Sequence, residues 1–496
     1  MTPETIVFVH GWSVTNTDAY GGLPERLAAE FAARGQELSI EHLWLSRYVS
    51  FRDNVRMSDL AFAMRRAVER ELAPLLERGE RFAVITHSTG GPVVRTWWYE
   101  YFARRGERCP MSHLIMLAPA NFGSALVQLG KGRISRLRSW GNGVEPGQGV
   151  LDWLEHGSNE SWNLNEAWIR GKFKAPSGSE VFSFVLTGQT ITRALYDHLN
   201  PYTGEVGTDG VIRAAAANLN ATYARFRQSG PAADQMALVS SGPLLESPAC
   251  AFRLVADASH VGKAHGILDG VEPHLRGKGD SVAAAVIRCL EVGSARAYEE
   301  LSGQFKAETA EVMASELVEL ERVRLFPDRW YFHDAMSMVI CRLTDSDGFP
   351  LNDFDLLLTG PDDDPDHLPR GFMVDRQRNM LERNVLTFYL NHSVMHGCGP
   401  TSDPRSPERT VRDAIAPMQG LGLRVSARPS DGFVHYVPAS YRARKEFLEA
   451  VIRPHQTTLL DIVLRRVVRR GVFEMDTGGK PPQDFARTDR GPALEE

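Results

Sequence analysis

Arg81-Phe82-Ala83-Val84-Ile85-Thr86-His87-Ser88-Thr89-Gly90-Gly91 holds the most informative residues of this 496-residue chain. Phe82 to Thr86 are apolar or β-prone and predict a short, fully buried strand. Ser88 follows almost at once. After Gly91 come Pro92 and an apolar-aromatic run, Val93 to Phe102, that predicts a helix. Strand, tight turn, serine, small residues and helix make the layout of a nucleophile elbow, in which the serine hydroxyl stands on a strained corner above a parallel sheet. The usual pattern is G-x-S-x-G. Here Thr86 stands at the first glycine, so the turn must tolerate a side chain where strand and helix pack closely. Gly90 holds the second small position, and Gly91 keeps the start of the helix uncrowded.

The N-terminus carries a second strand, Thr5-Ile6-Val7-Phe8-Val9-His10-Gly11-Trp12, ending in His-Gly-aromatic. Acyl transfer needs two preorganised backbone N–H donors for the oxyanion. In hydrolases of this layout one follows the nucleophile and the other lies in the loop after an early strand. Thr89 and Trp12 occupy those two places. His10, at a strand end before a glycine, reads as a structural loop histidine. With Leu117-Ala118-Pro119-Ala120-Asn121-Phe122-Gly123-Ser124, of form L-x-x-P-x-x-G-S, three ordered motifs are in hand. In these the chain resembles the lipase-type α/β-hydrolases, the bacterial lipases and lipid esterases.

Composition narrows the rest. At 43% hydrophobic residues the chain can bury a large core, and it is too long for one ordinary domain. A formal net charge of −6 gives no general attraction for nucleic acid. Arg465, Arg466, Arg469 and Arg470 read as a solvated face. Cys109, Cys250, Cys289, Cys341 and Cys398 are dispersed, without C-x-x-C spacing, and predict free thiols in a reducing compartment. There is no signal-peptide pattern and no apolar run near the roughly 18 residues of a membrane span, so a cytoplasmic protein is expected, with export by a dedicated machine left open.

Strand and helix alternate through the first part of the chain. Helices are expected at about 24–34 and 57–78, the latter ending at Gly79, with strands at 37–44, 113–117 and 181–186. The alternation predicts a doubly wound, mostly parallel sheet with helices on both faces. Between Ala125 and about Phe173 glycines mix with Trp140, Trp153, Trp162 and Trp168, and the strand–helix rhythm breaks. Long irregular segments in compact domains are usually functional. The resemblance places a lid and acyl-chain pocket here, over about 125–175, with Lys131, Arg133, Arg136 and Arg138 at its start to meet lipid phosphates or solvent.

A catalytic triad needs a carboxylate that orients the imidazole, and in α/β-hydrolases that acid follows the serine and precedes the histidine. The resemblance identifies Thr208-Asp209-Gly210-Val211-Ile212 with the family's N-D-G-V-V-like loop, which makes Asp209 the acid, with Glu205 and Asp197 as weaker substitutes. Phe252–Val255 predicts the last core strand. His260 and His265 both lie on the loop beyond it; His260 is favoured because Ser259-His260-Val261 resembles the family's loop. A helix at 281–290 closes the first domain.

From about Gly293 the character changes. The chain divides into an α/β-hydrolase domain at 1–295, a helical linker at 296–325, a smaller β-rich, antiparallel sandwich-like domain at 326–475, and a disordered tail at 476–496. Asp345, Asp347, Asp353, Asp355 and Asp362-Asp363-Asp364 read as acidic turns rather than a calcium site. The pattern of 451–471 fits helix or strand equally. The expected activity is carboxylic-ester hydrolysis through Ser88, His260 and Asp209, with no metal or organic cofactor. A lipid ester is the expected substrate, with transient membrane-surface contact open and no nucleic-acid partner. The competing readings are an esterase for small soluble esters and a hydrolase-derived scaffold whose C-terminal domain recruits an unknown protein.

Overall fold

The structure, a computed structural model, describes residues 3–10, 20–48, 54–127, 147–190, 205–230, 236–274, 277, 279–315, 318–321, 329–429 and 434–468. Among the described residues five strands come first: β1 (Thr5–His10), β2 (Ser39–Trp44), β3 (Phe82–His87), β4 (Met111–Leu117) and β5 (Phe182–Thr187). Then β6 (Ala221–Ser229), β7 (Ala237–Ser240) and β8 (Leu245–Glu246) lead to β9 (Ala251–Leu254). One sheet of six strands runs β2-β1-β3-β4-β5-β9, and every pairing in it is parallel. Its central strands are buried on both faces, which is why they read as unbroken apolar runs.

Helices cover both faces. On one side α2 (Met57–Glu71) and α4 (Gly90–Tyr101) bury Leu60, Met64, Val94 and Trp97. Between them α3 (Ala73–Glu77) is a short continuation after a break at Leu72, so the single long helix expected over 57–78 is two. The opposite face takes Leu27 and Phe31 of α1 (Leu23–Ala33).

The described part of the insertion contains α5 (Gln148–Leu154) and α6 (Asn159–Ile169), and Trp153, Trp162 and Trp168 are core. Trp168 meets Trp98 and Phe173 edge-on. Tryptophan buries more area than any other side chain, and here it cements the insertion to α4. Trp140 and the basic residues Lys131, Arg133, Arg136 and Arg138 lie outside the described residues.

Next, α7 (Asp280–Leu290) and α8 (Ala295–Ser315) return to the first sheet. Phe305 of α8 is fully buried, Thr309 Oγ1 accepts the Leu254 amide at 3.0 Å, and Tyr298 Oη donates to the Ser183 carbonyl at 2.6 Å. The helix expected as a linker is therefore part of the hydrolase layer.

The remaining strands are β10 (Val318–Glu321), β11 (Arg329–Phe332), β12 (Met336–Asp345), β13 (Phe354–Thr359), β14 (Met373–Arg378) and β15 (Val385–Asn391). They continue as β16 (Thr401–Asp403), β17 (Ser406–Arg412), β18 (Gly420–Ala427), β19 (Val434–His435), β20 (Ala439–Arg444), β21 (Thr457–Leu464) and β22 (Val467–Val468), with α9 (Lys445–Val451) before β21. The larger sheet runs β14-β15-β12-β21-β6-β7, with β8 also on β6; the smaller runs β13-β18-β20. The expected sandwich is present, but its larger sheet is mixed: β21 is parallel to both β12 and β6. Strands β6 to β8, which the sequence reading kept inside the hydrolase domain, belong to this sheet.

Met336, Met338 and Ile340 on one face of β12 join the hydrolase core, while Val339, Cys341 and Leu343 on the other face the smaller sheet. That alternation is the period of two expected of a strand between two layers. The acidic turns are each engaged. Asp345 caps the amides of Asp347 and Phe349, Asp353 and Asp355 pair with Arg428, and Asp363 pairs with Arg424. Among the described residues no group of three or more His, Cys, Asp or Glu is placed to hold a metal ion. No described helix is long and apolar enough to cross a membrane.

Candidate active site

The chain leaves β3 at His87 and enters α4 at Gly90, with Ser88 between them at φ +53°. A positive φ on a non-glycine residue costs about 1 kcal/mol or more and persists only where the surroundings impose it. Here they do: the Ser88 amide donates to the Leu117 carbonyl at 3.1 Å, and the Ser88 carbonyl accepts from the Ala120 amide at 3.1 Å. The corner is pinned to the end of β4. Thr86, at the usual glycine position, is fully buried against Gly90, where a Cβ would come within 3.1 Å of the Thr86 Cβ. A Cβ at Gly91 would lie 2.8 Å from Pro119 Cβ. The space given up at position 86 is recovered at 90 and 91.

Ser88 Oγ lies 3.1 Å from His260 Nε2, and His260 Nδ1 lies 2.9 Å from Asp209 Oδ2. A carboxylate oxygen only accepts, so the hydrogen sits on Nδ1 and the neutral ring presents Nε2 as an acceptor to the serine. Asp209 Oδ1 accepts the amides of Val211 at 3.0 Å and Ile212 at 2.7 Å. The His260 amide donates to the Asp209 carbonyl at 2.9 Å, which locks the two loops together. Asp209 and His260 are buried, and Ser88 is half-buried. The arrangement can transfer a proton from the serine hydroxyl to an oriented imidazole.

Of the residues singled out in the sequence, Ser88, Asp209 and His260 come together. His265 does not: it is exposed, with Nδ1 on the Asp257 carbonyl at 3.1 Å. Glu205 is committed to a buried bidentate pair with Arg213, at 2.8 and 2.7 Å. Thr89 is the N-cap of α4, so its amide lies at a helix N-terminus, where a negative charge is favoured. Trp12 and Asp197 lie outside the described residues.

His87 went unread. Its ring centroid lies 4.6 Å from that of His260, and its Nε2 donates to the His260 carbonyl at 3.2 Å. Burial, with the His260 ring beside it, holds the His87 imidazole well below its ordinary range. A neutral ring there supports the His260 loop without placing a cation next to the His260 ring. Its place directly before the serine was the available signal.

No protein-family model matches the chain, and no curated protein does. Among solved structures, two of phospholipase PlaB from Legionella pneumophila are similar along almost the whole chain. The first, in complex with thio-NAD, is 38% identical with a TM-score of 0.82, covering 97% of this chain and 97% of that one. The second is 39% identical, with the same TM-score of 0.82 and the same coverage of 97% of each chain.

Proposed function

Because the chain belongs to the lipase-type α/β-hydrolases together with phospholipase PlaB, we propose that it is a serine carboxylic-ester hydrolase acting on lipid esters, with phospholipids the preferred class. The observation that carries this reading is the pair of hydrogen bonds linking Ser88 to His260 and His260 to Asp209. Ser88 Oγ attacks the ester carbonyl while His260 Nε2 takes its proton. The carbonyl oxygen becomes an oxyanion, held by the Thr89 amide and, by resemblance, the Trp12 amide. His260 returns the proton to the departing alcohol, which leaves an acyl-serine. Water then attacks the acyl group, His260 removing its proton, and the carboxylic acid departs with Ser88 restored. Asp209 holds the ring in the right tautomer and stabilises the imidazolium in both halves.

The test is covalent labelling by a fluorophosphonate together with hydrolysis of short and long p-nitrophenyl esters and of phospholipid vesicles, wild type beside Ser88→Ala. Labelling and hydrolysis are expected to vanish together in the variant, with long chains or vesicles preferred by the wild type. Preference for short soluble esters, unaffected by vesicles, would move the assignment to an ordinary esterase. Equal inertness of both proteins, without a label, would leave a scaffold reading.

A further inference from the structure

We propose that Tyr389 and Asp375, on the second sheet, are positioning residues for Asp209, acting through the foot of the loop at residues 205–213. The inference rests on the triad reading above. Asp209 owes its direction to that loop, which is closed by the Thr208–Arg213 bridge and by the Ala214 amide on the Gly207 carbonyl at 2.8 Å. One flank is tied to the hydrolase layer, where Ser124 Oγ donates to the Val211 carbonyl at 2.7 Å. The foot is held by the other sheet. Tyr389 of β15 shares its hydroxyl hydrogen between the carbonyls of Val206, at 2.9 Å, and Gly207, at 3.2 Å. Gly207 has φ +75°, and a Cβ there would fall 2.6 Å from both the Tyr389 hydroxyl and Met336 Cγ. The contact is too close for any side chain.

Arg213 completes the clamp. Its guanidinium lies 4.0 Å over the Tyr389 ring, grips Glu205 with two hydrogen bonds and reaches Asp375 of β14 with a third. Arg213 and Tyr389 are both fully buried, and burial pushes the Tyr389 phenol well above its ordinary range, so it remains a donor. Buried ion groups are poor sources of net stability, since apolar residues of the same volume often serve as well. What a bidentate, stacked guanidinium supplies is a fixed direction. Functional side chains need such support to stay within a fraction of an ångström of their working geometry.

The experiment is a double-mutant cycle on the full chain, reading kcat and KM on p-nitrophenyl butyrate at micromolar enzyme. Tyr389→Phe removes a hydrogen-bond donor without changing shape, and Asp375→Asn removes one charge. Each is expected to lower kcat about 5- to 30-fold with KM within about twofold, as couplings of this kind allow. In an Asp209→Asn background neither should lower kcat further, because the residue they position is already disabled. Equal losses in both backgrounds, or no loss in the wild-type background, would overturn the proposal while leaving the triad intact. If Asp209→Asn itself keeps wild-type kcat, the triad reading and this inference fall together. Should Asp375→Asn fail to fold, the isosteric Tyr389→Phe carries the cycle alone.

Discussion

Replacing Asp209 by asparagine should disable the site by reversing one hydrogen while leaving the fold in place. In the native loop Oδ1 accepts the Val211 and Ile212 amides, and Oδ2 faces His260 Nδ1 at 2.9 Å. The oxygen of an asparagine has to stay on the two amides, because its NH2 group cannot accept. The NH2 group is then turned toward His260, where two donors cannot face each other. Nδ1 must give up its hydrogen, and the neutral ring carries it on Nε2, aimed at Ser88 Oγ 3.1 Å away. Such a ring can donate to the serine but cannot take its proton. The wrong tautomer costs about 10⁴ in kcat in a comparable triad. At about 1.4 kcal/mol per decade, that is some 5.5 kcal/mol of barrier. Stability should barely change, since the substitution is isosteric and both amides stay satisfied. The assay is p-nitrophenyl butyrate hydrolysis per mole of folded protein, with a thermal melt beside it. A variant within tenfold of wild-type kcat, melting at the wild-type temperature, would refute the tautomer argument and the assignment of Asp209.

Further outcomes follow from packing and burial. Burial holds His113, His156, His392 and His455 at about 4, 3, 4 and 4. Below the ordinary value near 6.5 the unfolded chain binds protons that the folded chain refuses, so stability is complete above about pH 6.5 and falls as pH drops, by about 2 kcal/mol per histidine at pH 5. The melting temperature should therefore drop markedly between pH 7 and 5, and a flat profile there would count against the buried neutral histidines. Burial also raises the thiols of Cys109 and Cys250 to about 12 and holds those of Cys289 and Cys341 well above their ordinary range, whereas Cys398 is only partly buried. Titration with Ellman's reagent should find one reactive thiol in the native protein and five in guanidinium; several fast native thiols would contradict the packing. A chain ending at residue 455 loses β21, which joins β12 to β6 and leaves both as bare edges. It should aggregate on expression, and a soluble, cooperatively melting product would show that the second sheet is less integral than its pairing implies.

The sequence was most informative where the physics is local. Strand, strained corner and helix around Ser88 lie within 20 residues and are fixed by side-chain size at Thr86, Gly90 and Gly91, so the elbow could be read directly. The first sheet was legible for the same reason, its helices carrying one apolar stripe each. Resemblance favoured His260 but left His265 open, because exposure separates them and exposure depends on the fold around the loop. Thr457–Leu464 is buried along its whole length, so it lacks the alternation that marks a half-buried strand, and its pattern fits a buried helix as well. Ala295–Ser315 is rich in charge because only a narrow stripe, Leu301, Phe305, Thr309 and Val312, is buried. That composition concealed a packed helix as a linker. Tyr389 and Asp375 left no local trace, since their partners lie more than 150 residues away.

The path of the chain explains why the second sheet lies so near the candidate triad. After β5 the chain passes through the loop that carries Asp209 and goes directly into β6, in the interior of the larger sandwich sheet. It turns through β7 and β8, re-enters the first sheet as β9, and only then reaches His260. Asp209 and His260 thus bracket an excursion into the other sheet, and the two loops meet only because the excursion returns in register. The closure is visible where the His260 amide meets the Asp209 carbonyl. β6 is held between β21 and β7, and β21 in turn lies beside β12, so the register of that excursion is set by strands more than 100 residues downstream. A separable C-terminal module would need a boundary with few pairings across it, and a cut near residue 295 instead crosses the parallel ladder of β6 and β21. The distance between Asp209 and His260 is therefore a property of both sheets. Substitutions on β12, β15 or β21 should reach the chemistry without touching the substrate.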